Sequence, residues 1–150
     1  MKKVLYYVKG INKIINGESI IAEPCEAWRF GPVFPSVYEK YKDFGKQEIE
    51  VDISKEYVEG LLSEPEKKIT DYVLSTFGIY NAWFLKDLTH LEKPWIDARK
   101  GLSEDDPSRN LMDDQVIFDY FSAIDKRYDL KVSKGVEKYI SDMKRKMLSC

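Results

Sequence analysis

His90 is the one histidine in the chain, and Asp87 stands three residues before it. On a helix that spacing puts both side chains on one face, where the carboxylate could orient the imidazole for proton transfer or metal binding. A metal centre needs more donors than this pair. The usual carriers of such chemistry are also missing: the sequence has no His-Glu-x-x-His, no glycine-rich phosphate loop and no Gly-x-Ser-x-Gly turn. Cys25 could act as a nucleophile if folding brought His90 to it, since such partners meet in space rather than in sequence. No third group is available to orient the pair. The competing reading makes Cys25 a small buried apolar residue and His90 a helix-ending side chain bonded to a carbonyl or carboxylate. Asp97, Arg99 and the acidic run Glu104-Asp105-Asp106 fall in a polar stretch that contains Pro107. Carboxylates do acid-base work when burial separates their pKa values, and nothing here argues for burial, so the run reads as a solvated loop. The expectation is therefore no catalytic residue, no metal site and no cofactor.

Trp28, Phe30, Pro32, Phe34 and Pro35 form the other conspicuous group. A loop stiffened by two prolines loses little entropy on binding, so these rings could make a recognition surface. Equally, Trp28 and Phe30 could plug the core beneath the loop, as large aromatic side chains commonly do.

The elements that would position these residues are mostly helical. Val4, Val8, Ile11 and Ile15 lie on one stripe of a helix from about Lys2 to Asn16, ended by Gly17. Pro24, Gly31 and Pro32 break the stretch from Glu18 to Val33 into a loop with at most a short extended piece at Ile20-Ala22. Pro35 opens a short helix that Phe44-Gly45 closes. Ile49, Val51 and Ile53 alternate with acids, the period of a strand, with Ile20-Ala22 and Leu130-Val132 as candidate partners. Ser63 with Glu66 makes a capping box, Asn81 caps the next helix, Pro94 starts a short turn, and Gly101 to Asn110 is loop. Two further helices begin at Asp113 and at a Ser133 cap. The fold class is mainly α, a compact multi-helix single domain with a small two- or three-stranded β element.

Composition narrows the function. At 150 residues, 43% of them hydrophobic, the chain can bury a core without staples. Its 24 basic and 26 acidic residues leave a net charge of -2, which supplies no field for a nucleic acid or an anionic membrane. Cys25 and Cys150 are too few for a disulfide framework, and a reducing, cytoplasmic setting is expected. The apolar run Val4 to Val8 is too short for a signal peptide or a membrane span.

Three blocks carry a resemblance. The first is Lys3-Val4-Leu5-Tyr6-Tyr7-Val8 followed by Glu26-Ala27-Trp28-Arg29-Phe30-Gly31-Pro32-Val33-Phe34-Pro35-Ser36-Val37-Tyr38. The second runs from Leu88 through Thr89, His90, Pro94 and Trp95 to Arg99, and the third is Ile117 to Phe121. Together they resemble the Panacea domain of SocA-like antitoxins, a family also met in prophages. The resemblance implies a mostly helical protein that neutralises a toxin encoded by a neighbouring gene through direct contact, with a protease as a further partner if the domain acts as an adaptor. It marks Trp28, Gly31, Pro32, Pro35, Thr89, His90, Pro94, Trp95 and Arg99 as motif residues serving either scaffold or partner, with Trp28 and Trp95 read as scaffold. The family usually has a helix before the Leu-Tyr-Tyr segment. Its absence would expose Val4, Val8 or Ile11 as a homodimer or partner surface. The helix from Ser133 lies beyond the most diagnostic blocks. The alternative function is a prophage enzyme using His90 with nearby carboxylates, and a promoter-binding repressor is the third reading, weakened by the neutral charge.

Overall fold

The computed structural model describes residues 3–41 and 63–149. The strand expected at Ile49, Val51 and Ile53 and the stop at Phe44-Gly45 lie outside them. Among the described residues there are seven helices and a three-stranded antiparallel sheet, the mainly α architecture expected.

Helix α1 spans Val4–Asn16 and ends where Gly17, at φ 84°, donates its N–H to the Lys13 carbonyl. The sequence suggested one buried stripe. In the structure every residue from Val4 to Asn12 is buried, Tyr6, Tyr7, Lys9 and Gly10 included, while Ile15 is only partly covered. Two long helices, α3 (Glu64–Phe77) and α6 (Asp114–Tyr128), pack directly on α1 and make it the central strut. Val4, Val8 and Ile11 are therefore 0%, 1% and 0% exposed, and the apolar homodimer or partner surface expected there does not exist. Gly10 allows the closest of these approaches, because a Cβ at that position would fall inside the Phe121 ring of α6.

The sheet has the order β2-β1-β3. Strand β1 (Cys25–Trp28) makes a hairpin with β2 (Gly31–Val33), pairing Glu26 with Val33, Ala27 with Pro32 and Trp28 with Gly31. On its other side β1 pairs Cys25 with Met112 and Glu26 with Leu111 of β3 (Leu111–Met112). Neither Ile20–Ala22 nor Leu130–Val132 is a strand. The segment read as loop holds the hairpin instead, with Pro32 on an edge strand, where a missing N–H is tolerated.

Helix α2 (Pro35–Tyr41) follows directly. Local chemistry starts the next two helices: at α3, Ser63 and Glu66 form the reciprocal capping box, and at α4 (Ala82–His90) the Asn81 side chain accepts the Phe84 N–H at 2.8 Å. Short α5 (Lys93–Ala98) has Pro94 in its first turn. Asp113 caps α6, and α7 spans Ser133–Ser149, beginning at the serine read as its cap, a difference of one residue. The core is aromatic at its centre: Tyr7 stacks on Phe77 with centroids 4.2 Å apart, and Tyr6 tilts against Phe121 at 5.3 Å.

Candidate functional site

The motif residues lie where the hairpin meets α4 and α5. The Trp95 indole N–H donates to the Trp28 carbonyl at 2.9 Å, so the two motif tryptophans are tied together. Arg99 is buried and donates to four carbonyls: Ala27 on β1, and Ser103, Glu104 and Asp106 in the following loop. Its guanidinium also rests on the Trp95 ring, 4.8 Å from the centroid. Gly31, at φ 128°, brings β2 so close to α4 that a Cβ would sit 3.2 Å from the Thr89 hydroxyl oxygen. Pro94 is buried in the first turn of α5, and Pro35 opens α2. Of the stretch read as a solvated loop, Glu104 to Asp106 are exposed or half-buried in loop, whereas Asp97 is half-buried within α5 and Arg99 is buried, gathering the loop carbonyls.

Trp28 and Phe30 part company. Trp28 is half-buried, edge-on to Tyr38 at 4.6 Å, with Arg109 over its ring and its indole N–H on Glu26. Phe30 does not plug the core. It is 49% exposed and meets Trp83, 66% exposed, edge to face at 6.4 Å. Arg29 lies 4.9 Å from the Phe30 centroid, and Lys86 lies over both rings, 5.8 Å from Phe30 and 5.6 Å from Trp83. Trp83 escaped the sequence reading because an aromatic beside the helical stripe of Phe84, Leu85 and Leu88 looks like another core residue. Behind Phe30, a cavity of about 490 Å³ is lined by Trp28, Pro32, Tyr38 and Arg109 among others.

His90 ends α4, and its imidazole lies flat on Trp95, centroids 3.7 Å apart. The side chain is 9% exposed, and neither ring nitrogen has a hydrogen-bond partner. The bond to a carbonyl or carboxylate expected of a helix-ending histidine is therefore absent; Glu104 comes only to 3.5 Å of Nδ1. Burial lowers the imidazole pKa below its ordinary value against the pull of Glu104, leaving the ring neutral at pH 7. Cys25 faces the core opposite Met112, and burial pushes its thiol far above the usual range, a poor setting for a nucleophile. Among the described residues no cluster of three or more histidine, cysteine or acidic side chains could hold a metal ion.

The most unusual group was not anticipated. Glu92, between α4 and α5, is completely buried, and among the described residues its carboxyl's hydrogen-bond partners are tyrosine hydroxyls rather than a cation. The Tyr7 hydroxyl donates to both its oxygens, at 3.1 and 3.2 Å, and the Tyr139 hydroxyl of α7 donates to Oε2. Tyr120 of α6 joins through Tyr139 at 2.7 Å. Burial raises the Glu92 pKa to about 8, the tyrosine hydrogen bonds opposing it. A second buried ionisable group, Lys9 on α1, is answered by the Glu23 carbonyl at 2.9 Å and by Asp114 at 2.8 Å. The available signal was the three tyrosines standing in apolar helical stripes, since buried hydroxyls need an acceptor.

Residues 1–96 match the family model described as antitoxin SocA-like, Panacea domain. The chain belongs to that family. The matched part of the Panacea antitoxin takes in Trp28, Gly31, Pro32, Pro35, Thr89, His90, Pro94 and Trp95, together with Tyr7 and Glu92. Arg99 and the block Ile117 to Phe121 lie beyond it, as do Tyr120, Tyr139 and the whole of α6 and α7. No curated protein and no solved structure matches the chain. Among the described residues no helix is long and apolar enough to cross a membrane.

Proposed function

We propose that this Panacea antitoxin neutralises a cognate toxin, the product of a neighbouring gene, by direct protein contact in the cytoplasm. The observation that supports this reading is the Phe30–Trp83 pair, two large aromatic rings left 49% and 66% exposed with Arg29 and Lys86 over them. Exposed tryptophan, aromatic and arginine side chains are the composition of interface hot spots, and here two such rings adjoin in one patch instead of standing singly. The motif residues beneath serve as scaffold: Trp95 and Arg99 tie the hairpin that carries Phe30 to α5, and Gly31 lets it approach α4, the helix that carries Trp83.

The test is co-expression of the neighbouring reading frame with wild type and with the double variant Phe30→Ala, Trp83→Ala. Wild type restores growth and co-purifies with the toxin; the double variant, folded by circular dichroism, does neither. Rescue undiminished in the variant would place the contact elsewhere. A role as proteolytic adaptor adds that toxin half-life falls when the antitoxin is present, whereas masking alone leaves it unchanged.

A further inference from the structure

The His90 cavity is a separate feature from the Phe30–Trp83 face. It measures about 540 Å³, opens to solvent, and lies between the end of α4, α5 and the loop that follows α5, with Met147 of α7 at one wall. Its walls are apolar through Leu91, Ile96, Leu102 and Met147, and Ile96 and Leu102 remain 44% and 38% exposed. Asp87 and Glu104 line it as carboxylates. Neither imidazole nitrogen of His90, its side chain nine-tenths buried, has a hydrogen-bond partner, the Glu104 carboxylate approaching Nδ1 only to 3.5 Å, and a buried polar atom left without such a bond carries a penalty that a ligand can relieve.

The charges facing the imidazole set the sign of that ligand. Asp87 and Glu104 favour a cation, while Lys86 works against one. Arg99 also lines the cavity, but its guanidinium N–H groups are occupied by four backbone carbonyls, so little of it is left to bind an anion. An apolar channel with two carboxylates and an acceptor imidazole matches a long aliphatic stem with a cationic tip. From this we infer that the cavity receives an arginine or lysine side chain of a partner protein, the stem against Leu91, Ile96 and Leu102 and the tip hydrogen-bonded to Glu104, Asp87 and His90. The inference rests on the reading of the domain as a protein-binding module and adds a second, oppositely charged anchor to it.

Because the chain has a single histidine, its imidazole Hε1 proton resonance reports on this cavity alone. The probes are the acetylated amides of arginine and lysine, with acetyl-citrulline amide as the uncharged analogue of the arginine stem. The expected result is a saturable displacement of the His90 resonance by a cationic amide in the millimolar range. Citrulline amide, or the rim variant Asp87→Asn, Glu104→Gln, should weaken it about tenfold or more, the loss expected when a charge-assisted hydrogen bond goes. No saturable displacement by either cationic amide, an equal response to citrulline, or an unchanged response in the rim variant overturns the assignment. Growth rescue is scored separately, so a chain that neutralises its toxin yet ignores the amides has the cavity wrong and the antitoxin reading right.

Discussion

Glu92 has a cost and a use. Its folded pKa of about 8 lies above the ordinary value of 4.5, so between these pH values the native state holds a proton that the unfolded chain has released. The native state is thus favoured most below pH 4.5, and that contribution is lost as pH rises through 8, at up to about 1.4 kcal/mol per pH unit. Glu92→Gln keeps a neutral hydrogen-bonding group among Tyr7 and Tyr139. It should flatten the fall in Tm between pH 5 and pH 8 and raise Tm at pH 8; a slope identical to wild type would show that another group titrates. Gly10 poses the opposite problem. Alanine improves helix propensity by about 0.5–1 kcal/mol, but its methyl would overlap the Phe121 ring, and overpacking costs about 1–3 kcal/mol or more. The steric loss wins because Phe121 is fixed among Tyr6, Tyr7 and Tyr120. Gly10→Ala should lower the urea midpoint, and a raised midpoint would mean that α6 can shift away from α1.

The sheet depends on α5 and the loop after it rather than on its own length, since strands of four, three and two residues are marginal alone. Arg99 supplements the short ladders by reaching from the end of α5 to β1 and gathering three loop carbonyls. Lysine would keep the charge but lose the planar fork, leaving several carbonyls unsatisfied at about 1–3 kcal/mol each if they stay buried. Arg99→Lys is therefore expected to destabilise by a few kcal/mol in urea titration and to speed hydrogen exchange at Ala27 and Asp106. A stability matching wild type would show that water replaces the guanidinium without loss. Helices α3 and α4 are less dependent on tertiary support at their starts; their caps at Ser63 and Asn81 were legible because each is a local bond over three residues.

The molecule as a whole carries a net charge of -2, yet the Phe30–Trp83 face has two cations over its rings, Lys86 and Arg29, the latter with the exposed Asp105 carboxylate 3.9 Å away. Such a patch accelerates association with an acidic surface while adding little to the lifetime of the complex. Replacing Arg29 and Lys86 by glutamate should slow toxin association about tenfold at low salt, with the difference shrinking as ionic strength rises in stopped-flow kinetics. A rate insensitive to both changes would put the toxin on another surface. Helix α1 ties together α3, α6 and the link between α4 and α5, bonding Glu92 through Tyr7, Asp114 through Lys9 and Thr70 through Asn12.

Helix positions, caps and the family motifs follow from the order of residues, because apolar period, capping side chains and glycine stops act within a few residues of one another. The exposed Phe30–Trp83 pair, the closed environment of α1 and the Glu92 cluster do not. Tyr7 and Glu92 are separated by 85 residues, and Glu92 and Tyr139 by 47, so their meeting depends on how α1, α4 and α7 pack. Burial of a charge is likewise a property of what surrounds it: Lys9 and Glu92 read as ordinary surface residues until neighbouring helices remove them from water.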